Sequence, residues 1–141
     1  MSGDPDYPHL GERQRKLIRH SFTRLARRHN VIACLVFDRL FELDPTLRPL
    51  FPEDMRDSNR KLMETVALIV QRLDQPAALA ALARQLGLRY DARHHAVFAQ
   101  AFLWALRYGL VSGYSDEVER AWTRLFALLV ALALERGPAR A

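Results

Sequence analysis

The chain reads as one all-α domain. Apolar residues recur at three- and four-residue spacing in seven stretches, the prolines fall at the breaks between them, and no stretch alternates with the period of two that marks a strand. At 141 residues, half of them apolar, the chain is long enough to bury a core of its own. No internal repeat or low-complexity tract divides it, so residues 10–136 are expected to form the domain, with a loose arm at 1–9 and a short tail at 137–141.

In order, the arm carries Gly3, Pro5 and Pro8. A helix is expected from about Leu10 to Arg28, with Leu17, Ile18, Phe22 and Leu25 on one face. Asn30 reads as a cap for a second helix over Val31 to Leu43, whose apolar face holds Ile32, Leu35, Val36, Leu40 and Phe41. That helix stops at Asp44-Pro45, because proline disfavours a helical residue before it. Pro45 to Leu50 is a short helical turn, closed by Phe51-Pro52. The pattern resumes from about Asp54, with Leu62, Val66, Ile69, Val70 and Leu73, until Asp74-Gln75-Pro76 interrupts it. The next helix starts at Pro76, carries Leu79, Leu82 and Leu86, and ends near Leu88 to Tyr90. Ala92 to Val111 presents Phe98, Phe102, Leu103, Leu106 and Leu110, and Ser112-Gly113 ends it. Ser115-Asp116-Glu117-Val118 opens the last helix, which holds Trp122, Leu125, Phe126, Leu129, Val130 and Ala133.

Net charge is +5, which raises nucleic acid and anionic membranes as partners. Acidic residues are mixed through every helix, however, and the basic stretch Arg13 to Arg28 lacks interleaved glycine and aromatic residues, so a solvated face is the plainer reading and nucleic acid is disfavoured. The longest apolar run, Leu125 to Leu134, is about half of what a bilayer crossing needs. A single Cys34 excludes an internal disulfide and suits a reducing cytoplasm. There is no phosphate-binding glycine loop and no histidine pair at metal spacing on a helix, so no enzyme is indicated. Trp104 and Trp122 are explained by packing or by a dimer interface.

The pieces Phe41-Glu42-Leu43-Asp44-Pro45, Leu47-Arg48-Pro49-Leu50-Phe51-Pro52, Lys61-Leu62-Met63 and Ala121-Trp122 fall in an order that resembles a globin, specifically the bacterial single-domain and flavohaemoglobin-type branch. The resemblance covers about Leu17 to Leu134. It implies a three-over-three helical sandwich of helices A, B, C, E, F, G and H, a haem cofactor, and chemistry with O2 or NO. Phe51 matches the phenylalanine that packs on haem in that family.

The matched motifs also depart from the family. Helix F in this branch ends in Leu-Gly-x-x-His, whose histidine ligates iron, and Leu86-Gly87-Leu88-Arg89-Tyr90 places Tyr90 there. The His-Tyr pair that opens helix G is replaced by His94-His95, arriving about five residues early, so the connection between helices F and G is shortened. Counting back from helix G instead puts Gln85 at the ligand position. On the distal side, the ligand-binding tyrosine of helix B is matched by Phe37 and the glutamine of helix E by Ser58. Without those donors, bound O2 lacks stabilisation of its partial negative charge.

The resemblance and its departures together imply a globin-family protein with a degenerate haem pocket, haem-free or weakly haem-binding, acting as a non-enzymatic ligand-binding or sensor module. The alternative is a haem protein with unusual axial ligation by Tyr90, His94 or His95, tyrosine being a known haem ligand. Candidate site residues are Tyr90 as the metal ligand, with His94, His95, Gln85, Phe51, Phe37, Ser58, Met63 and Phe98 around the cofactor. Expected partners are haem or another apolar small molecule, and a homodimer or a signalling partner.

Overall fold

The computed structural model describes residues 10–87 and 92–134. The arm at 1–9, the tail at 137–141 and Tyr90 lie outside the described residues. Six α-helices occupy the described chain: α1 Glu12–Arg24, α2 His29–Leu43, α3 Arg56–Gln71, α4 Pro76–Gly87, α5 Ala92–Leu110 and α6 Asp116–Leu134, with 3-10 turns at Ala26–Arg28, Pro45–Leu50 and Val111–Gly113. No strand occurs among the described residues.

Two boundaries differ from the sequence reading. The first helix stops at Arg24, because the chain tightens into three-residue hydrogen bonding from Leu25 N to Phe22 O (3.0 Å) and from Arg28 N to Leu25 O (2.8 Å). Ala26, Arg27 and Arg28 carry no breaker, so periodicity runs through them unmarked. Asn30 is not the cap of α2. The helix begins at His29, and Arg28 stands at the cap without a side-chain capping bond. Other ends fall where expected: α4 opens at Pro76, and Ser115 Oγ accepts from Val118 N (3.1 Å) at the start of α6.

The helices form two layers of three. One layer holds α1, α3 and α4, the other α2, α5 and α6, and the layers meet where α4 and α1 pack on α6 and where α3 packs on α2. Within the second layer α2 lies along α5, and Gly109 allows the closest approach: a Cβ there would stand 2.5 Å from Ile32 Cδ1 and 2.9 Å from Leu25 Cδ2.

Ile18, Leu25, Ile32, Val36, Phe102, Leu106, Trp122 and Leu125 are buried at the centre of the sandwich. Each such side chain contributes about 1.5–3 kcal/mol on leaving water. One polar clasp crosses this core, with Trp122 Nε1 donating to Ser21 Oγ at 2.9 Å. At the surface, Arg13 pairs with Glu117, and Arg19 with Asp74. Arg15 Nε pairs with the same carboxylate at 2.8 Å.

Candidate functional site

The family resemblance places a cofactor between α3 and α4. α3 packs on α2 and α4 on α6. Leu62 of α3, Leu86 of α4, and Val97 and Phe98 of α5 are half-buried and packed against the core.

The α2 side is aromatic. Phe37 and Phe41 sit one turn apart on the helix, with ring centroids 5.9 Å apart, and Phe51 meets them edge to face at 5.2 and 5.4 Å. Phe51 is brought there by the 3-10 turn. Asp44 accepts from Thr46 N (3.1 Å) at its start, while Arg48 donates to Phe51 O (3.2 Å) and Pro52 O (3.1 Å) at its end. Each edge-to-face pair adds about 0.5–1.5 kcal/mol beyond burial. Phe37 is buried, Phe51 half-buried, and neither offers a hydrogen bond to a small ligand.

α3 carries the polar groups. Asp54 accepts from Arg56 N (3.0 Å) before its first turn, and hydrogen bonds from Arg56 hold that carboxyl down to about 2. Ser58 is half-buried, as is Leu62 one turn on, while Met63 is buried in the core. Asn59 is buried too. Its Nδ2 donates to Cys34 Sγ (3.2 Å) on α2, and its Oδ1 has no partner among the described residues. The sequence reading passed over Asn59, although its place on the stripe Asn59, Met63, Val66, Val70 is the signal of a buried amide.

On the α4–α5 side, Gln85 is exposed while Leu82 and Ala83 are buried, so the structure does not bring Gln85 into the interior. The register that puts it beside a cofactor gains nothing from its placement. α4 is described to Gly87 and α5 from Ala92, and residues 88–91 lie outside the described residues. His94 and His95 are half-buried in the first turns of α5. One turn further, Phe98 lies half-buried against Phe102 (5.9 Å) and edge-on to Phe126 (6.1 Å). The structure thus assembles Phe37 with Phe51, sets Ser58 on α3, and puts His94, His95 and Phe98 on one helix.

The described residues hold no group of three or more His, Cys, Asp or Glu arranged for a metal ion. The other described histidines lie elsewhere: His20 is exposed, and His29 rests on Phe22 (4.9 Å), where burial lowers its pKa. Two shallow recesses sit away from the candidate site, one over α1 beside Arg13 and Lys16, the other between α1 and α6. No described helix is long and apolar enough to cross a membrane.

No family model matches the chain. Neuroglobin-1 of Oncorhynchus mykiss is 29% identical over 151 residues, covering 93% of this chain and 94% of that protein. The neuroglobins of Chaenocephalus aceratus and Danio rerio are 28% and 27% identical over the same shares. The alignment of 151 residues is longer than the 141-residue chain, so gaps fall on this side of it. In three dimensions the chain matches the crystal structure of a hexacoordinated haem protein from an anhydrobiotic tardigrade, with a TM-score of 0.80, 16% identity, and coverage of 93% of this chain and 96% of that one. The fold is therefore the globin fold, and the similarity to neuroglobins supports the globin family.

Proposed function

We propose that this chain, with its globin fold and its likeness to the neuroglobins, is a non-enzymatic haem-binding globin whose iron is held by a residue other than a helix F histidine. The observation that carries the proposal is the half-buried placement of His94 and His95 side by side near the start of α5. An imidazole is a common ligand of haem iron. The similar tardigrade fold belongs to a hexacoordinated haem protein, which favours the same cofactor here. Tyr90 is the other candidate ligand, as a phenolate favouring ferric iron.

Haem, when bound, supplies an iron centre able to take up O2 or NO. This chain's own residues would do the holding. Leu62, Leu86 and Phe98 supply apolar walls, and such contact is worth about 2.5 kcal/mol per 100 Å2 before the costs of binding. That gain allows measurable haem affinity even with a weak axial bond. Phe37 leaves a bound gas without a hydroxyl partner, and Ser58 offers only a short donor, so tight O2 storage is disfavoured. A sensor or ligand-binding role in the cytoplasm fits this pocket better. The bacterial branch is its finer assignment, resting on the Leu-Gly-x-x-Tyr run and the Asp44 to Pro52 motifs.

A second reading is favoured by the Phe37, Phe41 and Phe51 cluster, whose rings satisfy one another. In that reading the scaffold is haem-free or takes another apolar molecule. Titration of the purified protein with ferric haem, followed by absorption, separates the two. A saturable one-to-one Soret band, altered in His94→Ala, His95→Ala or Tyr90→Phe, is the expected result and identifies the ligand. Haem adding without a stoichiometric endpoint would refute the haem reading and leave the second.

A further inference from the structure

The outer face of α2 and α5 carries exposed apolar and aromatic side chains. α5 turns Trp104 and Tyr108 outward one turn apart, Val111 stands out from the 3-10 turn that follows, and α2 exposes Val31 in its first turn; Tyr108, Val111 and Val31 are 64, 70 and 56% exposed. The two helices make one continuous surface. Trp104 and Tyr108 lie ring to ring (5.8 Å), Arg39 of α2 sits 5.3 Å over Trp104, and Arg28, just before α2, donates to Gly109 O (3.3 Å). Val111 adds a second anomaly. It is β-branched, yet its φ is 51°, in the left-handed region that such residues avoid, and its side chain points to solvent.

We propose that this face docks a second copy of the chain, forming a homodimer about a two-fold axis beside Tyr108. The charges around the patch are what select that partner. α2 and α5 run antiparallel, with Arg28 at the end beside Gly109 and Asp38 toward the end where Arg39 covers Trp104. Ten residues of helix separate Arg28 from Asp38, about 15 Å. A two-fold axis between them exchanges the ends, so Arg28 of each copy meets Asp38 of the other, twice over. Arg28 contacts only a carbonyl within its own chain, and Asp38 joins no ion pair among the described residues. An isologous contact gives both charges a partner around an aromatic centre of the kind that anchors interfaces. Two helices side by side, about 20 Å wide and about 22 Å long over α2, lie at the small end of specific interfaces, so the dimer is reversible.

Sedimentation velocity of the whole chain from about 5 to 500 μM tests this, that window bracketing the affinity of a small interface. The expected result is a monomer–dimer equilibrium that Tyr108→Ala weakens at least about tenfold, as truncation of a central aromatic does. Arg28→Glu and Asp38→Arg should each weaken the dimer, and the double reversal should restore it. Circular dichroism confirms that each variant is folded, the altered side chains being at the surface. A monomer throughout the range overturns the proposal, whether or not another protein binds this face. So does a dimer indifferent to Tyr108→Ala, or one that the double reversal fails to restore.

Discussion

Replacing Ser21 by alanine should destabilise the protein by about 1–2 kcal/mol, although it removes a single oxygen. Trp122 is 1% exposed and Ser21 3% exposed, and the indole N–H donates to Ser21 Oγ at 2.9 Å. Deleting the acceptor strands a buried donor, which costs about 1–3 kcal/mol. The hydroxyl's own proton goes to Leu17 O (2.8 Å) or Ile18 O (3.0 Å), carbonyls that the helix already serves, so its loss adds little. Alanine also returns about 0.5 kcal/mol of helix propensity. For a chain of this length the net loss lowers the melting temperature by roughly 3–8 °C. Thermal and urea unfolding of wild type, Ser21→Ala, Trp122→Phe and the double variant would give a coupling of about 1–2 kcal/mol. A Ser21→Ala variant as stable as wild type, or a coupling near zero, would show that the clasp between α1 and α6 does not hold the layers together.

Asn59→Leu should leave stability unchanged or raise it by up to about 1 kcal/mol, since it trades a weak N–H···S contact and an orphaned carbonyl for an apolar side chain; a loss larger than that in urea unfolding would mean that ordered water or a ligand satisfies Oδ1. Tyr114 is pushed up to about 12, first by burial and then by its hydrogen bond to Glu119. Because the folded state holds this proton more tightly than the unfolded chain, its contribution to stability is complete below pH 10 and is lost as pH rises from 10 through 12. Unfolding measured across that window should decline more steeply for wild type than for Tyr114→Phe, and equal slopes would refute it.

The elements were legible because each is a local decision. Pro76 opening α4, Ser115 capping α6, and Asp44-Pro45 ending α2 are all written in one or two residues whose backbone chemistry leaves little choice. The break at Leu25 was not, because Ala26-Arg27-Arg28 are good helix formers and the tightened turn comes from packing Leu25 into the core rather than from any residue that forbids the helix. The same division runs through the site. Phe37 and Phe51 were picked out by their order relative to known motifs, and the structure joins them through an aromatic contact. Asn59 was missed because one amide on an otherwise apolar stripe resembles a tolerated exception until its burial and its stranded oxygen are known. Gln85 was included through a counting argument alone, and its exposure shows why spacing is weak where the chain has been shortened. A deletion in the link between α4 and α5 changes the register of everything counted across it, whereas a residue's face on its own helix is fixed by its neighbours. His94 and His95 are therefore firmer candidates than any residue placed by counting through 88–91, since α5 itself sets where they stand.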